Sequence, residues 1–495
     1  MLNKFITEKK IKTAIQHIID FGDTDIFPPI IELDFFKKKQ KECLKPLIKL
    51  DEKILQNSFN CKQSLSREIF FSFGQGTRLA TQLPFFLTLY SILHAFHLRE
   101  IIERKRTRYF DKFIHSYRCE IQNKKELFSK EFGWNSFLDC QKRLTSNYNW
   151  VVSLDIAKFY SSIKKLHLQK IGDNFLLNKN DLKRIYYFFD ATDGHKYGLP
   201  LGRDYSRLIA DTVLYEIDLF LLKNDLKFCR FVDDYKLFFL NQKNAINGSY
   251  KIIDALSTYG FNINNSKFDV KKTDKSKKKY SFNQFTNNKI KTDNYFFDPY
   301  SEMVLTKIKE LKSFSQTKDL LYLINLELEK IAPHTSSLKI YMAALQIAPP
   351  ENFQECFVKL LSTVFDERYF ALLPKMVRLT SSIRSKLDEN FKVEQCHYLK
   401  KKLILLHSNL PLSVIGQILR IIKFLSYNYN NEFLRFLLKS LKIYKDSLFV
   451  QREIVNLLKN IELKRNNSSY VNVSENIVLK GVLKPETLLR SKIYG

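Results

Sequence analysis

The stretch CRFVDDYKLFF, residues 229–239, sets two adjacent carboxylates between two runs of apolar and aromatic residues. LKFCRFV (226–232) and YKLFFL (235–240) read as the arms of a β-hairpin, with Asp233 and Asp234 at its turn. Neighbouring carboxylates each raise the cost of ionising the other, so the pair implies a shared cation. Upstream, VVSLDIAKFYSSI (151–163) carries Asp155 at the end of a second apolar strand, WVVSLDI (150–156). Three carboxylates meeting at two strand ends suit a hard, oxygen-preferring ion. Mg²⁺ fits best, as two ions holding the attacking and leaving oxygens of a phosphoryl transfer, with Mn²⁺ as a substitute.

Between the two acidic elements lies YGLPLGRDYSRLIAD (197–211). Gly198 and Gly202 bracket Pro200, which gives a bent backbone that a base or sugar can approach closely. Asp204 or Ser206 is placed to cap the helix expected over RDYSRLIADTVLYEIDLFLLK (203–223). Leu208, Ile209, Val213, Ile217 and Phe220 recur in that helix at three- and four-residue steps, marking its buried face.

The 495-residue chain is long enough for two to four domains, and with 45% apolar residues it is a folding sequence. Its scarce Gly (13) and Pro (12) favour long helices over a turn-rich β fold. The formal charge of +29 and pI near 9.5 attract polyanions, nucleic acid foremost, with an anionic membrane the weaker contender. PFFLTLYSILHAFHL (84–98) is apolar but short and carries His94 and His97, so it reads as a buried helix rather than a membrane span. The seven cysteines are scattered, without a CxxC pair, and no secretory leader is evident, which points to the cytoplasm. The expected class is α+β in three segments. These are a helical N-terminal region with basic clusters such as HLREIIERKRTRYFDKFIHSYR (97–118) over 1–150, a mixed region over 151–295, and amphipathic helices over 296–495. In the last, EMVLTKIKELKSF (302–314), DLLYLINLELEKI (319–331), IGQILRIIKFLSY (415–427), EFLRFLLKSLKIY (432–444) and SLFVQREIVNLLKNI (447–461) suggest stacked helical hairpins or a bundle. KKTDKSKKKY (271–280) reads as an exposed basic loop.

DIAKFY, GLPLG followed by Ser206, and FVDD, in this order, resemble palm motifs A, B and C of reverse transcriptases. LSTYGFNINNSKF (256–268) resembles motif D, with Lys267 in the place of its lysine. The resemblance implies fingers and palm over 1–150 and 151–295, followed by an all-α, HEAT-like region. FGDTDIFPPI (21–30), FIHSYR (113–118) and the helical C-terminal half resemble the prophage-borne bacterial abortive-infection polymerases. That subgroup implies untemplated DNA synthesis from deoxynucleoside triphosphates, primed on a tyrosine hydroxyl, with single-stranded product covalently attached, in a ring-like homo-oligomer defending against phage. It also implies a bacterial cytoplasm and no membrane.

By the same resemblance Asp155, Asp233, Asp234 and the backbone of Ile156 hold metal, with Asp155 and Asp233 the shared ligands and Asp234 assisting. Gly198, Pro200 and Gly202 would line the nucleotide. Tyr160 would exclude a ribose 2′-hydroxyl, Lys267 would neutralise or protonate pyrophosphate, and Arg118 would grip the triphosphate. Motif C departs from the Tyr-Ala-Asp-Asp of many bacterial relatives, but its carboxylates are intact. Two alternatives stand beside this reading: an RNA-templated reverse transcriptase that extends a nucleic-acid primer, and a basic scaffold that binds nucleic acid without chemistry.

Overall fold

The computed structural model describes residues 5–24, 26–27, 30, 32–37, 39–56, 65–72, 76–106, 108–123, 125–273, 319–330, 335–347, 353–425 and 430–465. The expected helix at 302–314 and most of the basic loop at 271–280 lie outside them. Six strands are present among the described residues: β1 (Ser66–Ser72), β2 (Gly76–Gln82), β3 (Trp150–Asp155), β4 (Lys227–Phe231), β5 (Asp234–Phe239) and β6 (Asp269–Lys272). The chain divides into two compact units, Met1–Leu65 with Leu83–Lys279, and Ser66–Gln82 with Tyr280–Arg490. Residues on both sides of position 150 therefore share one unit, and the hairpin β1–β2 groups with the C-terminal helices.

In the first unit a four-stranded antiparallel sheet runs in the order β4-β5-β3-β6. The strand-like runs of the sequence become β3, β4 and β5, as their β-branched and aromatic content dictates. Val152, Leu154, Phe228, Tyr235 and Leu237 are buried, and helices Trp134–Asn147 and Gln242–Thr258 pack against the sheet. The apolar run at 84–98 lies within helix Phe85–Lys105. By length and composition that helix could cross a membrane, but 78% of its most apolar window is buried inside the protein, which marks a core helix. Its histidines have partners: His94 faces Tyr205 and Asp181, and His97 also faces Asp181. Arg184 joins Asp181 to Asp51, so one buried network ties four helices together. The helix expected over 203–223 is two, Asp204–Val213 and Tyr215–Lys223, separated at Leu214.

Among the described residues the second unit is helical apart from its hairpin. Leu338, Phe357, Leu379, Ile418, Leu437 and Ile454 form part of one continuous core. Asn430 and Asp388 cap helices Asn431–Ile443 and Glu389–Leu406 by accepting from backbone amides, as their residue types favour. The hairpin joins this core through β1: Phe70 packs at a tilt against Phe449 and Phe71 against Phe370. Ser413 Oγ donates to the Ile69 carbonyl at 2.6 Å and Ser447 Oγ to Glu68 Oε1 at 2.6 Å.

Burial pushes the Glu68 carboxyl up from 4.5 to about 7, with the Ser447 hydroxyl opposing in part. A raised carboxyl favours the folded state only while protonated. That contribution is complete below pH 4.5 and is lost as pH rises through about 7. The Glu68→Gln variant is expected to gain stability over the wild type progressively from pH 5 to pH 8, reaching on the order of 2 kcal/mol in urea unfolding. A difference that does not change with pH would contradict this assignment.

Candidate active site

The site is built where β3, β4 and β5 end together. Phe231 pairs with Asp234, which leaves Val232 and Asp233 as a two-residue turn. Val232 has φ 56°, a left-handed conformation that a β-branched residue adopts at a cost of about 1–3 kcal/mol. Such two-residue turns normally take Gly or Asn where φ is positive, because these match the twist of the arms without steric strain. The other side of β5 is the β3 ladder, in which Asp155 stands directly opposite Asp234. Opposed residues present their side chains to the same face of a sheet, so these two carboxylates are brought together by backbone pairing alone.

The resemblance makes Asp155 and Asp233 the shared metal ligands with Asp234 assisting; the ladder adds that Asp234 is the cross-strand partner of Asp155. Asp233 belongs to the turn, where its carbonyl accepts from the Ile156 amide at 3.3 Å. Burial, and then the charge of Asp155, raise the Asp234 carboxyl from 3.8 to about 6, against the pull of Lys267 and Lys236. The cation implied by the acidic pair is, within the chain itself, Lys267. Its Nζ lies 3.1 Å from Asp155 Oδ1. Burial pulls the Lys267 ammonium down, but Asp155, Asp234 and Asp233 together hold it above its ordinary range. One lysine therefore senses all three carboxylates. Sequence reasoning missed Asn264, which donates its backbone N–H to the Asp155 carbonyl (2.7 Å) and its side-chain amide to Asp155 Oδ2 (3.2 Å). The signal was present in the polar run NINNSK just before Lys267.

The glycine-bracketed segment docks on the helical turn that follows Asp155. Leu199 N–H donates to the Tyr160 carbonyl at 2.9 Å. Gly198 has φ +71°, and a Cβ there would lie 2.2 Å from that same carbonyl oxygen and 2.5 Å from Ser161 Cα. Conformation and space both require glycine. Gly202 has φ 78° and Pro200 is buried. Tyr160 is buried, and burial followed by the nearby Tyr117 raises its pKa well above the ordinary tyrosine range. Arg207 and Asp233 act on the same ring, so Tyr160 sits at the edge of the acidic cluster.

Neither Asp204 nor Ser206 caps the helix as expected: Arg203 is the N-cap residue and makes no side-chain cap bond. Asp204 is drawn into pairs with His17 and Arg207, and Arg203 into a pair with Asp23. The N-terminal FGDTD segment is thereby fixed to the glycine-bracketed one, with Thr24 bridging Arg203. Arg118 departs from its expected place as well. It is 5% exposed, with Nε on Glu103 at 2.7 Å, Nη1 on Asp111 at 2.5 Å, and its plane over Phe132. A guanidinium so engaged is part of the fold's framework rather than a hand offered to a triphosphate.

The donor set at the strand ends is all oxygen, which suits Mg²⁺ and Mn²⁺ rather than softer ions. Among the described residues no three His, Cys, Asp or Glu side chains converge on a common point as they stand. The backbones of Asp155 and Asp234 are nevertheless fixed opposite one another, with Lys267 seated on Asp155.

Residues 92–288 match the family described as reverse transcriptase (RNA-dependent DNA polymerase), and they contain every motif considered above from Asp155 to Lys267. Those residues form a reverse transcriptase domain. No curated protein matches the chain. Solved structures with some likeness include the telomerase from Candida albicans in complex with a TWJ fragment of telomeric RNA. It has 13% identity over 76% of this chain and 65% of that one, with a TM-score of 0.31. Apo telomerase from Candida tropicalis shows 13% identity over 89% of this chain and 65% of that one, with a TM-score of 0.29. The chain spans 65% of the length of each.

Gly198→Ala is expected to lower stability by about 1–3 kcal/mol in denaturant unfolding, because the methyl group must displace the Tyr160–Ser161 backbone. Nucleotide incorporation should fall with it. Unaltered unfolding and turnover would show that the docking of this segment is not as described.

Proposed function

We propose that the chain is a metal-dependent DNA polymerase of the abortive-infection type, extending deoxynucleotides from a tyrosine hydroxyl of protein without a template. The observation that carries the chemistry is the opposition of Asp155 and Asp234 beside Asp233 at the strand ends, with Lys267 sensing all three. Asp155, Asp233, Asp234 and the Ile156 carbonyl would hold two Mg²⁺ ions, which when bound supply positive charge to the phosphate oxygens and favour ionisation of the attacking hydroxyl.

The chain's own residues do the remainder. The attacking hydroxyl oxygen bonds to the α-phosphorus while the bond to pyrophosphate breaks. Lys267, paired with Asp155 in this structure, would neutralise or protonate the departing pyrophosphate once released from that pair. The buried Tyr160, whose carbonyl accepts from Leu199 and whose ring senses Asp233, would restrict the sugar to the deoxy form. The backbone of Gly198, Pro200 and Gly202 would approach the base and sugar.

Support for the abortive-infection type comes from the sequence resemblance, from the docking of the FGDTD segment on the 198–204 loop, and from the helical C-terminal region. The +29 charge supports retention of a nucleic-acid product. The same reading includes a ring-like homo-oligomer of this chain, covalently attached single-stranded DNA and work in a bacterial cytoplasm. A templated reverse transcriptase is favoured by one observation, the family description over residues 92–288.

Incubation of purified protein with Mg²⁺ and deoxynucleotides, without added nucleic acid, is expected to give DNA that migrates with the protein. Mass spectrometry should then find a nucleotide adduct on a tyrosine peptide. Product only with RNA template and primer would establish the templated reading; no product under any condition would leave a binding scaffold. Asp155→Ala and Asp233→Ala are expected to lower incorporation by on the order of a thousandfold or more with the thermal transition retained. Normal incorporation by either folded variant would overturn the metal assignment.

A further inference from the structure

The strained turn that carries Asp233 is held by one arm of the hairpin and by a segment outside it. Val232 N–H donates to Ser116 Oγ at 2.9 Å, and the Val232 carbonyl accepts from Arg230 Nη1 at 2.9 Å. Both partners converge on one carboxylate: Ser116 Oγ donates to Asp211 Oδ1 at 3.2 Å and Arg230 Nη1 to the same oxygen at 2.7 Å. Asp211 is held in turn by Arg106 Nη2 at 2.5 Å. The far side of Arg230 grips Asp218 through Nε (2.9 and 3.1 Å) and Nη2 (2.7 Å), and Tyr235 donates its hydroxyl to Asp218 Oδ1 at 3.0 Å. Arg230 and Asp218 are 0% exposed, and Ser116 and Asp211 1%. Two arginines face two aspartates, so their charges offset one another within the core.

The backbone is anchored in the same way. Arg230 N–H donates to the Phe113 carbonyl (2.7 Å) and His115 N–H to the Arg230 carbonyl (2.9 Å), so segment 113–116 runs alongside β4. A glycine at position 232 would adopt the positive φ unaided. Valine does not, and the two hydrogen bonds to Ser116 and Arg230 are what oppose a flip of this peptide. A flip would carry the next residue with it, and that residue is Asp233.

We propose that Ser116 and Arg230 are positioning residues: joined by Asp211, they clamp Val232 in its left-handed conformation and so fix where the Asp233 carboxylate stands for a divalent cation. The inference rests on the metal-dependent reading of the site. It assigns the buried charges of helix Asp204–Val213 and strand β4 a task beyond holding the core together.

Mn²⁺ titration of the full-length protein, followed by electron paramagnetic resonance of the free ion, tests this without relying on activity. Arg230→Ala is unsuitable because it strands two buried aspartates. Ser116→Ala removes only the hydroxyl. It is expected to fold, to keep the wild-type KM for deoxynucleotide, and to weaken Mn²⁺ binding roughly tenfold, with the Mg²⁺ needed for half-maximal incorporation rising by a similar factor. Ser116→Ala combined with Val232→Gly is expected to recover most of the lost affinity, since glycine needs no clamp. Equal Mn²⁺ affinity in wild type and Ser116→Ala overturns the positioning role. So does a double variant no better than the single one, which would leave Ser116 a packing residue. Absence of Mn²⁺ binding by the wild type, in contrast, overturns the metal reading itself.

Discussion

Residues opposed in an antiparallel ladder are held roughly 5 Å apart whatever their side chains prefer, and at the end of β3 and β5 those residues are Asp155 and Asp234. The pairing is enforced by hydrogen bonds along six register pairs, from Trp150 with Phe239 to the acidic pair itself. Charge repulsion acts only at the last of them, so the sheet wins and the carboxylates must find a cation. Lys267 serves within the chain, and the raised Asp234 carboxyl records the cost that remains. The turn beyond, the Asn264 bonds to Asp155 and the docking of Gly198 on Tyr160 all follow from where this ladder ends.

The positive charge of the chain divides into two kinds. The surplus of +29 first suggests a surface for polyanions, and the basic run at 97–118 looked like part of it. Several of its arginines face inward instead. Arg99 donates to the Glu126 carbonyl, Arg106 pairs with Asp211, and Arg118 with Glu103. A guanidinium with a fixed fork is well suited to such buried pairing, and the sequence holds the matching carboxylates on distant elements. Net charge therefore speaks to the partner of the whole chain but not to the role of any one arginine.

Much of the first unit was legible because hydrophobic periodicity and turn chemistry act locally. The strands at 150–156, 226–232 and 235–240 and the buried helix at 84–98 emerge near their expected places. The helix over 203–223 breaks at Leu214, which its apolar spacing did not reveal. What escaped depends on contacts between distant segments. That Asp155 opposes Asp234 and not Asp233 is a matter of ladder register, in which a slip of one residue would reverse the facing. Arg118 and Asp204 could not be placed without their partners Glu103 and His17. One signal did stand in the sequence. Asp211 and Asp218 fall seven residues apart within a helical stretch whose buried side also carries Leu208, Ile209, Val213 and Ile217, and Arg230 lies between Cys229 and Phe231 in a buried strand. Charges on positions that periodicity buries call for partners, and here they partner one another. The hairpin Ser66–Gln82 of the second unit had no such signal, since its grouping with helices hundreds of residues away rests on tertiary packing alone.

The central claim is that backbone pairing sets two carboxylates, with a third in the adjoining turn, to receive divalent ions in exchange for a lysine. Anomalous diffraction from crystals grown with Mn²⁺ and a non-hydrolysable deoxynucleotide measures this directly. The account expects Mn²⁺ within about 2.0–2.3 Å of oxygens from Asp155 and from the 233–234 pair, with the Lys267 ammonium moved off Asp155. Bound nucleotide with Lys267 still seated on Asp155, and no manganese between β3 and β5, would contradict it.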